Sequence, residues 1–323
     1  MDEKLIVSSS PHIRNGVTTR SIMLDVIMSL VPAAIASILL FGPRALMIIA
    51  VCVASCVLSE YICRRVMKRE STIGDLSAAV TGILLAFNLP VTIHPLIAAF
   101  GGVVAIVVVK QMFGGIGQNF VNPALTARII LMSSFPAQMT AWVSPRYYLS
   151  SSAADAVTTA SPLGLLKQGA PAAELPGYLN MLVGDRAGSL GETCALALIL
   201  GGVYLIVRKV ISPTIPLCYL GTAALLSFCM GRDVLLDLLS GGLLLGAIFM
   251  ATDYATSPLT RKGQIIYAVG CGVITMLIRR FGSLAEGVSF AIVLMNILVP
   301  LIDSGSHPTA FGKERAKKHE NER

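Results

Sequence analysis

The sequence predicts an all-α, polytopic membrane protein of about ten transmembrane helices, arranged as two inverted five-helix repeats. Three observations carry this expectation. Hydrophobic residues make up 54% of the 323-residue chain and charged residues only 13%, where soluble domains carry about 25% charge. Ten apolar stretches are each long enough to cross a bilayer core. Finally, matched motifs recur in the two halves at one offset of 168 residues, the separation of Phe281 from Phe113.

Taken in order, residues 1–20 form a polar leader with no cleavable signal sequence. The first repeat, 21–136, holds apolar segments at 21–42, 44–63, 73–89, 93–110 and 119–136. A polar interval, 137–189, separates it from the second repeat, 190–302, with segments at 190–207, 214–231, 234–251, 264–280 and 285–302. The tail, 303–323, is too charged to bury a core and is expected to be disordered. With the N-terminus inside, the inner ends and loops hold 17 Lys and Arg residues against 7 outside. Both termini therefore read as cytoplasmic and the 137–189 loop as extracytoplasmic.

The repeat is carried by two alignments at the shared offset. Phe113-Gly114-Gly115 resembles Phe281-Gly282-Ser283, and Leu30-Val31-Pro32 resembles Leu198-Ile199-Leu200. Asp75 and Asp237 open the matching third and eighth segments. Five segments per half is an odd number, so the second copy runs through the membrane upside down. Such repeats place a functional cavity at their interface, beside interrupted helices. Asn88-Leu89-Pro90, Asn122-Pro123 and Thr252-Asp253 are the expected interruptions.

Charges inside apolar segments are expensive and face protein or water. Asp75, Asp237 and Glu286 stand at segment starts, where a helix dipole stabilises a carboxylate. Arg128 lies within the fifth segment and Asp253 ends the eighth. An ion pair, a flavin phosphate contact or a cation step would suit either. With Asn88 and Asn122 they form the candidate set for ion or flavin contacts. The seven cysteines lie in or at the ends of apolar segments without a C-x-x-C pair, and the four histidines are scattered, so no metal site is expected. The net charge of +7 follows from the inner loops rather than from a nucleic-acid partner.

The outer loop carries one patterned stretch. Asp155-Ala156-Val157-Thr158-Thr159-Ala160-Ser161 has the form Asp-x-x-Ser/Thr-x-Ala-Ser/Thr. It resembles the sequence recognised by flavin transferases, which join FMN through its phosphate to a side-chain hydroxyl. Ser161 stands at the acceptor position, with Thr158 and Thr159 as alternatives. Pro162 biases Ser161 toward an extended backbone that can enter a transferase cleft.

Together with Ser9-Ser10-Pro11-His12-Ile13-Arg14, Gly114-Gly115-Ile116-Gly117-Gln118-Asn119, Asn122-Pro123-Ala124, and Met250-Ala251-Thr252-Asp253 with Ser257-Pro258, these features resemble the D subunits of Rnf complexes. Those are ion-translocating ferredoxin:NAD⁺ oxidoreductases; the B subunit of the sodium-pumping NADH:quinone oxidoreductase is more distantly similar. The resemblance covers nearly the whole chain. It implies a urea-transporter-like fold and covalent FMN on the extracytoplasmic side; the sequence leaves open a second, non-covalent flavin. It also implies a six-subunit complex in the bacterial cytoplasmic membrane, including a second flavin-carrying subunit. The acceptor in that family is usually Thr, where this chain has Ser161. From the residues alone, a small-solute channel or secondary transporter is the competing reading, although such a protein has no need of a flavinylation motif.

Overall fold

The computed structural model describes residues 16–149, 159–169 and 175–306. Among these the chain is helical throughout, with no β-strand. The 1–15 leader, Asp155, Thr158 and the tail beyond 306 lie outside the described residues.

The first half begins with α1 (Thr19–Phe41) and α2 (Pro43–Val66), both long and apolar enough to cross a membrane. A Thr18–Ser21 capping box starts α1, and Pro43, pre-set for helical φ, starts α2. Only about a third of each apolar window is covered by protein, which leaves a belt of exposed residues such as Leu39 and Leu58 for lipid. Then come α3 (Ser77–Phe87), α4 (Pro95–Val103, running on as a π-helix to Gln111) and α5 (Pro123–Ser134). Three short helices follow: α6 (Pro136–Met139), α7 (Pro162–Gln168) and α8 (Tyr178–Val183). The last six are α9 (Ala195–Val207), α10 (Thr214–Cys229), α11 (Val234–Leu239), α12 (Leu243–Leu245, continuing as a π-helix to Met250), α13 (Arg261–Phe281) and α14 (Val288–Ser306). Of these, α13 and α14 are long and apolar enough to span.

Four apolar segments are not the continuous helices their hydropathy suggests. The 73–89 stretch is a 3₁₀ turn, Ile73–Asp75, followed by α3, and 119–136 is helical only from Pro123 to Ser134. The 190–207 stretch is helical only from Ala195, and 234–251 breaks at Ser240–Gly242 between α11 and α12. At 1.5 Å per residue, α3 is ~17 Å long, about half of a ~30 Å hydrocarbon core. Hydropathy registers apolar composition, whereas continuity is set by caps and breakers: Asn122 with Pro123 starts α5, and Gly241 sits at φ +61° after α11.

The broken ends satisfy one another's backbone. Leu190 N–H donates to the Leu89 carbonyl (3.0 Å) and Gly191 N–H to the Phe87 carbonyl (3.0 Å). Those are carbonyls that a helix end inside apolar surroundings would otherwise leave unpaired. The approach is so close that a Cβ on Gly191 would lie 2.2 Å from Phe87 Cβ, so only glycine fits.

The described part of the 137–189 interval is less free than its polarity suggests. Arg146 N–H donates to the Leu40 carbonyl (2.6 Å) and Tyr148 Oη–H to the Leu39 carbonyl (3.0 Å), pinning the interval to the end of α1. Lys167 Nζ donates to the carbonyls of Gly282 (2.5 Å) and Leu284 (2.6 Å) after α13.

Candidate functional site

Two cavities lie toward opposite ends of α1, which is ~34 Å long. The first, of about 340 Å³, meets α1 at its start (Thr19, Ile22) and is walled by Lys110, Asn119, Asn122 and Asp253. The second, of about 200 Å³, is lined by Trp142, Ser161, Arg186, Glu192 and Glu286. Trp142 belongs to the segment held at the other end of α1.

The first cavity holds a buried ion pair. Lys110 Nζ, on the π-helical end of α4, donates to Glu60 Oε2 (2.8 Å) and to Ser77 Oγ (2.6 Å). Thr72 Oγ1 donates to the other Glu60 oxygen (2.5 Å), so this carboxylate, 0% exposed, has both oxygens engaged. Lys110 therefore carries no loop charge, contrary to the inner count that included it. Asp253 accepts from Thr256 Oγ1 (3.2 Å), and among the described residues no cation pairs with it within 4 Å.

Three of the four candidate contact residues form one line between the cavities. Asn122 Oδ1 caps α5, accepting from Ala124 and Leu125 N–H, while its Nδ2 donates to the Met250 carbonyl (3.3 Å). Asn88 Nδ2 donates to the Leu84 carbonyl (2.7 Å) and contacts Met250 Sδ (3.6 Å). Asn88 Oδ1 accepts from Arg128 Nη1 (2.9 Å), which also reaches Ser289 Oγ (3.1 Å). Arg128 Nη2 meets Glu286 Oε2 at 2.5 Å, and Nη1 lies 3.4 Å from Glu192 Oε1. Asp253 stands apart, in the first cavity only.

Asp75 behaves as a carboxylate at a helix start should, accepting from Ser77 N–H (2.9 Å). Asp237 and Glu286 do not: their partners are arginines. Arg232 grips Asp237 with two bonds of 2.8 Å, and Arg279 approaches it at 3.9 Å. Glu286 is held by Arg128 and by the Gly242 N–H (2.5 Å). Arg279, counted as an outer-loop charge, is 3% exposed, and Arg186, counted likewise, is 5% exposed. Burial pulls the Arg186 guanidinium down to about 10, still far above neutral pH, so it remains charged. Nothing local in the sequence marks Glu60, Glu192, Arg186 or Arg279 as buried; Glu60, Glu192 and Arg279 acquire their partners across the fold, and Arg186 donates to the nearby carbonyls of Glu192 and Thr193.

Ser161 has the extended backbone that Pro162 predicts, φ −66° and ψ 156°. Its Oγ accepts from Gly164 N–H (3.2 Å), capping α7. Thr159 N–H donates to the Trp142 carbonyl (2.9 Å), which fixes Thr159-Ala160-Ser161 along the cavity rim.

Discontinuous helices around buried, paired charges define a class: polytopic membrane proteins whose apolar body holds polar sites at helix breaks. A family model described as the NQR2, RnfD, RnfE family matches residues 6–312, and the chain belongs to that family. It is 48% identical over 316 residues to the D subunit of the Na⁺-translocating ferredoxin:NAD⁺ oxidoreductase complex of Acetobacterium woodii, covering 97% of each chain. It is 43% identical to the D subunit of the proton-translocating ferredoxin:NAD⁺ oxidoreductase complex of Clostridium ljungdahlii, covering 96% of each. The D subunit of an ion-translocating oxidoreductase complex of Escherichia coli O7:K1 is 34% identical, over 96% of this chain and 99% of its own.

Proposed function

We propose that this chain is the flavin-carrying membrane subunit of an ion-translocating ferredoxin:NAD⁺ oxidoreductase. It relays electrons within a six-subunit Rnf-type complex and shares the movement of Na⁺ or H⁺ with its neighbours, a second flavin-carrying subunit among them. The observation that carries this reading is the placement of Ser161, a hydroxyl held on extended backbone at the rim of a cavity shared with the chain's one tryptophan. These residues fit FMN: a hydroxyl for the phosphoester, an indole face for the ring and buried cations behind. Bound flavin supplies one- and two-electron chemistry. Ser161 would supply the attachment oxygen: in the cleft of a flavin transferase its Oγ, which here accepts from Gly164 N–H, would form the new O–P bond as the P–O bond of a flavin nucleotide donor breaks, the hydroxyl proton leaving with the displaced phosphate group. Once joined, the tether holds the flavin at high effective concentration by the cavity. Mass analysis of the peptide containing Ser161 tests the reading, the expected gain being one FMN less one water. An unmodified peptide from the assembled complex refutes it.

The two-repeat fold is part of this proposal, and several contacts support it. A Cβ on Gly102 of α4 would strike Ser55 of α2, and one on Gly272 of α13 would strike Thr222 of α10. In both halves a buried cation stands near the end of the fourth segment, Lys110 on α4 and Arg279 on α13, although their carboxylate partners, Glu60 of α2 and Asp237 of α11, lie on non-equivalent segments. The Arg128–Asn88–Met250 contacts lie between the cavities, where a solute channel needs open space.

Orientation follows the charge asymmetry, which widens once buried Lys110 leaves the inner count and buried Arg186 and Arg279 leave the outer one. In a background without native cysteines, Gln168→Cys should react with an impermeant thiol reagent on intact cells and Ser306→Cys should not. The reverse pattern overturns the topology.

The first cavity, with Asp253 and Lys110 on its wall, suits the second, non-covalent flavin or an ion step. Asp253→Asn should leave complex assembly intact and sharply reduce coupled ion transport. Full coupled transport in an assembled Asp253→Asn complex removes Asp253 from the mechanism.

A further inference from the structure

We infer that the cavity beside Ser161 is the seat of the phosphodiester that joins flavin to this chain, with Arg186 as its positioning residue. The inference rests on the flavin reading above and extends it to the group that receives the phosphate. Arg186 Nε donates to the Thr193 carbonyl (3.3 Å) and Nη2 to the Glu192 carbonyl (2.5 Å), which fixes the guanidinium plane. Its Nη1 is buried and meets no acceptor. Native proteins seldom leave a buried, charged N–H donor unpaired, because its desolvation is then uncompensated. Arg186 lines the same cavity as Ser161 and also a second hollow lined by Thr159, Ala160 and Pro162, so it flanks the attachment segment on both faces.

The surrounding charges agree in sign. Arg128, Arg186, Arg232 and Arg279 stand against at most three carboxylates, Glu192, Glu286 and Asp237, so the cluster carries a positive excess. A phosphodiester has one ionised oxygen at neutral pH and carries one negative charge, which that excess favours. Glu192 and Glu286 also face the cavity and would repel an anion, but both lie against Arg128, and Glu286 is further held by Gly242 N–H. Arg128 Nε and Arg279 Nε are also buried without a partner, but Arg186 is the arginine of the cluster that lines this cavity, so its free donor is the one placed for the phosphate. Arginine suits this role because its planar fork offers parallel N–H groups to phosphate oxygens.

The test uses the full chain co-produced with a flavin transferase, with covalent flavin quantified by in-gel fluorescence and its mobility read by fluorescence anisotropy. Arg186→Gln should retain the covalent band, since the hydroxyl is untouched, while the anisotropy falls toward that of the same chain unfolded in detergent. Arg186→Lys, with its charge kept and its fork lost, should fall between; if Arg186→Gln does not accumulate folded, Arg186→Lys decides the matter. Native anisotropy with an intact covalent band overturns the seat while leaving the flavin reading standing. Absence of a covalent band from the unsubstituted chain overturns the reading and the seat together, whereas its persistence in Ser161→Ala moves the attachment off Ser161 and overturns the seat alone. If Arg186→Gln leaves the anisotropy native but shifts thermal unfolding of the Ser161→Ala chain, the anion is a free or lipid phosphate and the tethered seat is wrong.

Discussion

Ser161→Ala is expected to abolish the covalent, ultraviolet-fluorescent flavin band and to stop electron flow through the complex, while the helical body still folds. The argument is one of atoms. A phosphoester needs an oxygen, and Ser161 Oγ is the hydroxyl placed at the acceptor position of the motif and on the cavity rim. The structural cost is small, because the substitution removes one helix cap, of about 1 kcal/mol, from a seven-residue helix. Ser161→Thr keeps the hydroxyl and the cap and should keep both band and activity. A fluorescent band surviving in Ser161→Ala would move the attachment to Thr159, whose Oγ1 is buried and without a partner, or to Thr158. That result would show the motif to be read in the wrong register.

Arg128→Met should be the most destabilising single change in the body of the protein. Arg128 is 2% exposed and joins α5 to Asn88 at the end of α3, to Glu286 before α14 and to Glu192 before α9. Removing it leaves Glu286 and Glu192 without their nearest cation and Asn88 Oδ1 without its donor. Breaking a buried pair from one side costs about 3–5 kcal/mol, because the remaining charge is stranded. Thermal unfolding of the purified chain should show the loss. Adding Glu286→Leu to Arg128→Met should recover part of it, since the stranded carboxylate is then gone, although Glu192 remains. If the single variant unfolds with the native protein, or the double is worse than the single, the pairing is not what holds these elements together. Arg128→Lys should lie in between, as a single ammonium cannot replace both arms of the guanidinium.

The chain by itself determined where the apolar segments lie, because burying or exposing apolar surface is additive along the sequence and needs no partner. It also settled the local features that close within a few residues: the Asn122–Pro123 helix start, the extended Ser161 before Pro162, and the Asp75 bond to Ser77. Only the tertiary structure decided which charges are buried and paired. Lys110 lies fifty residues from Glu60, and Arg128 lies 158 from Glu286. The same holds for the non-α-helical starts of the 73–89 and 190–207 stretches, because both are as apolar as a continuous span, whereas the breaks at Asn88 and Asn122 were legible in the sequence. Leu89 and Leu190 end up hydrogen-bonded across a hundred residues of intervening chain. The physical reason is common to both. A backbone carbonyl or a charged side chain can sit in an apolar body only if a partner meets it there. That partner is supplied by the fold, not by the neighbouring sequence.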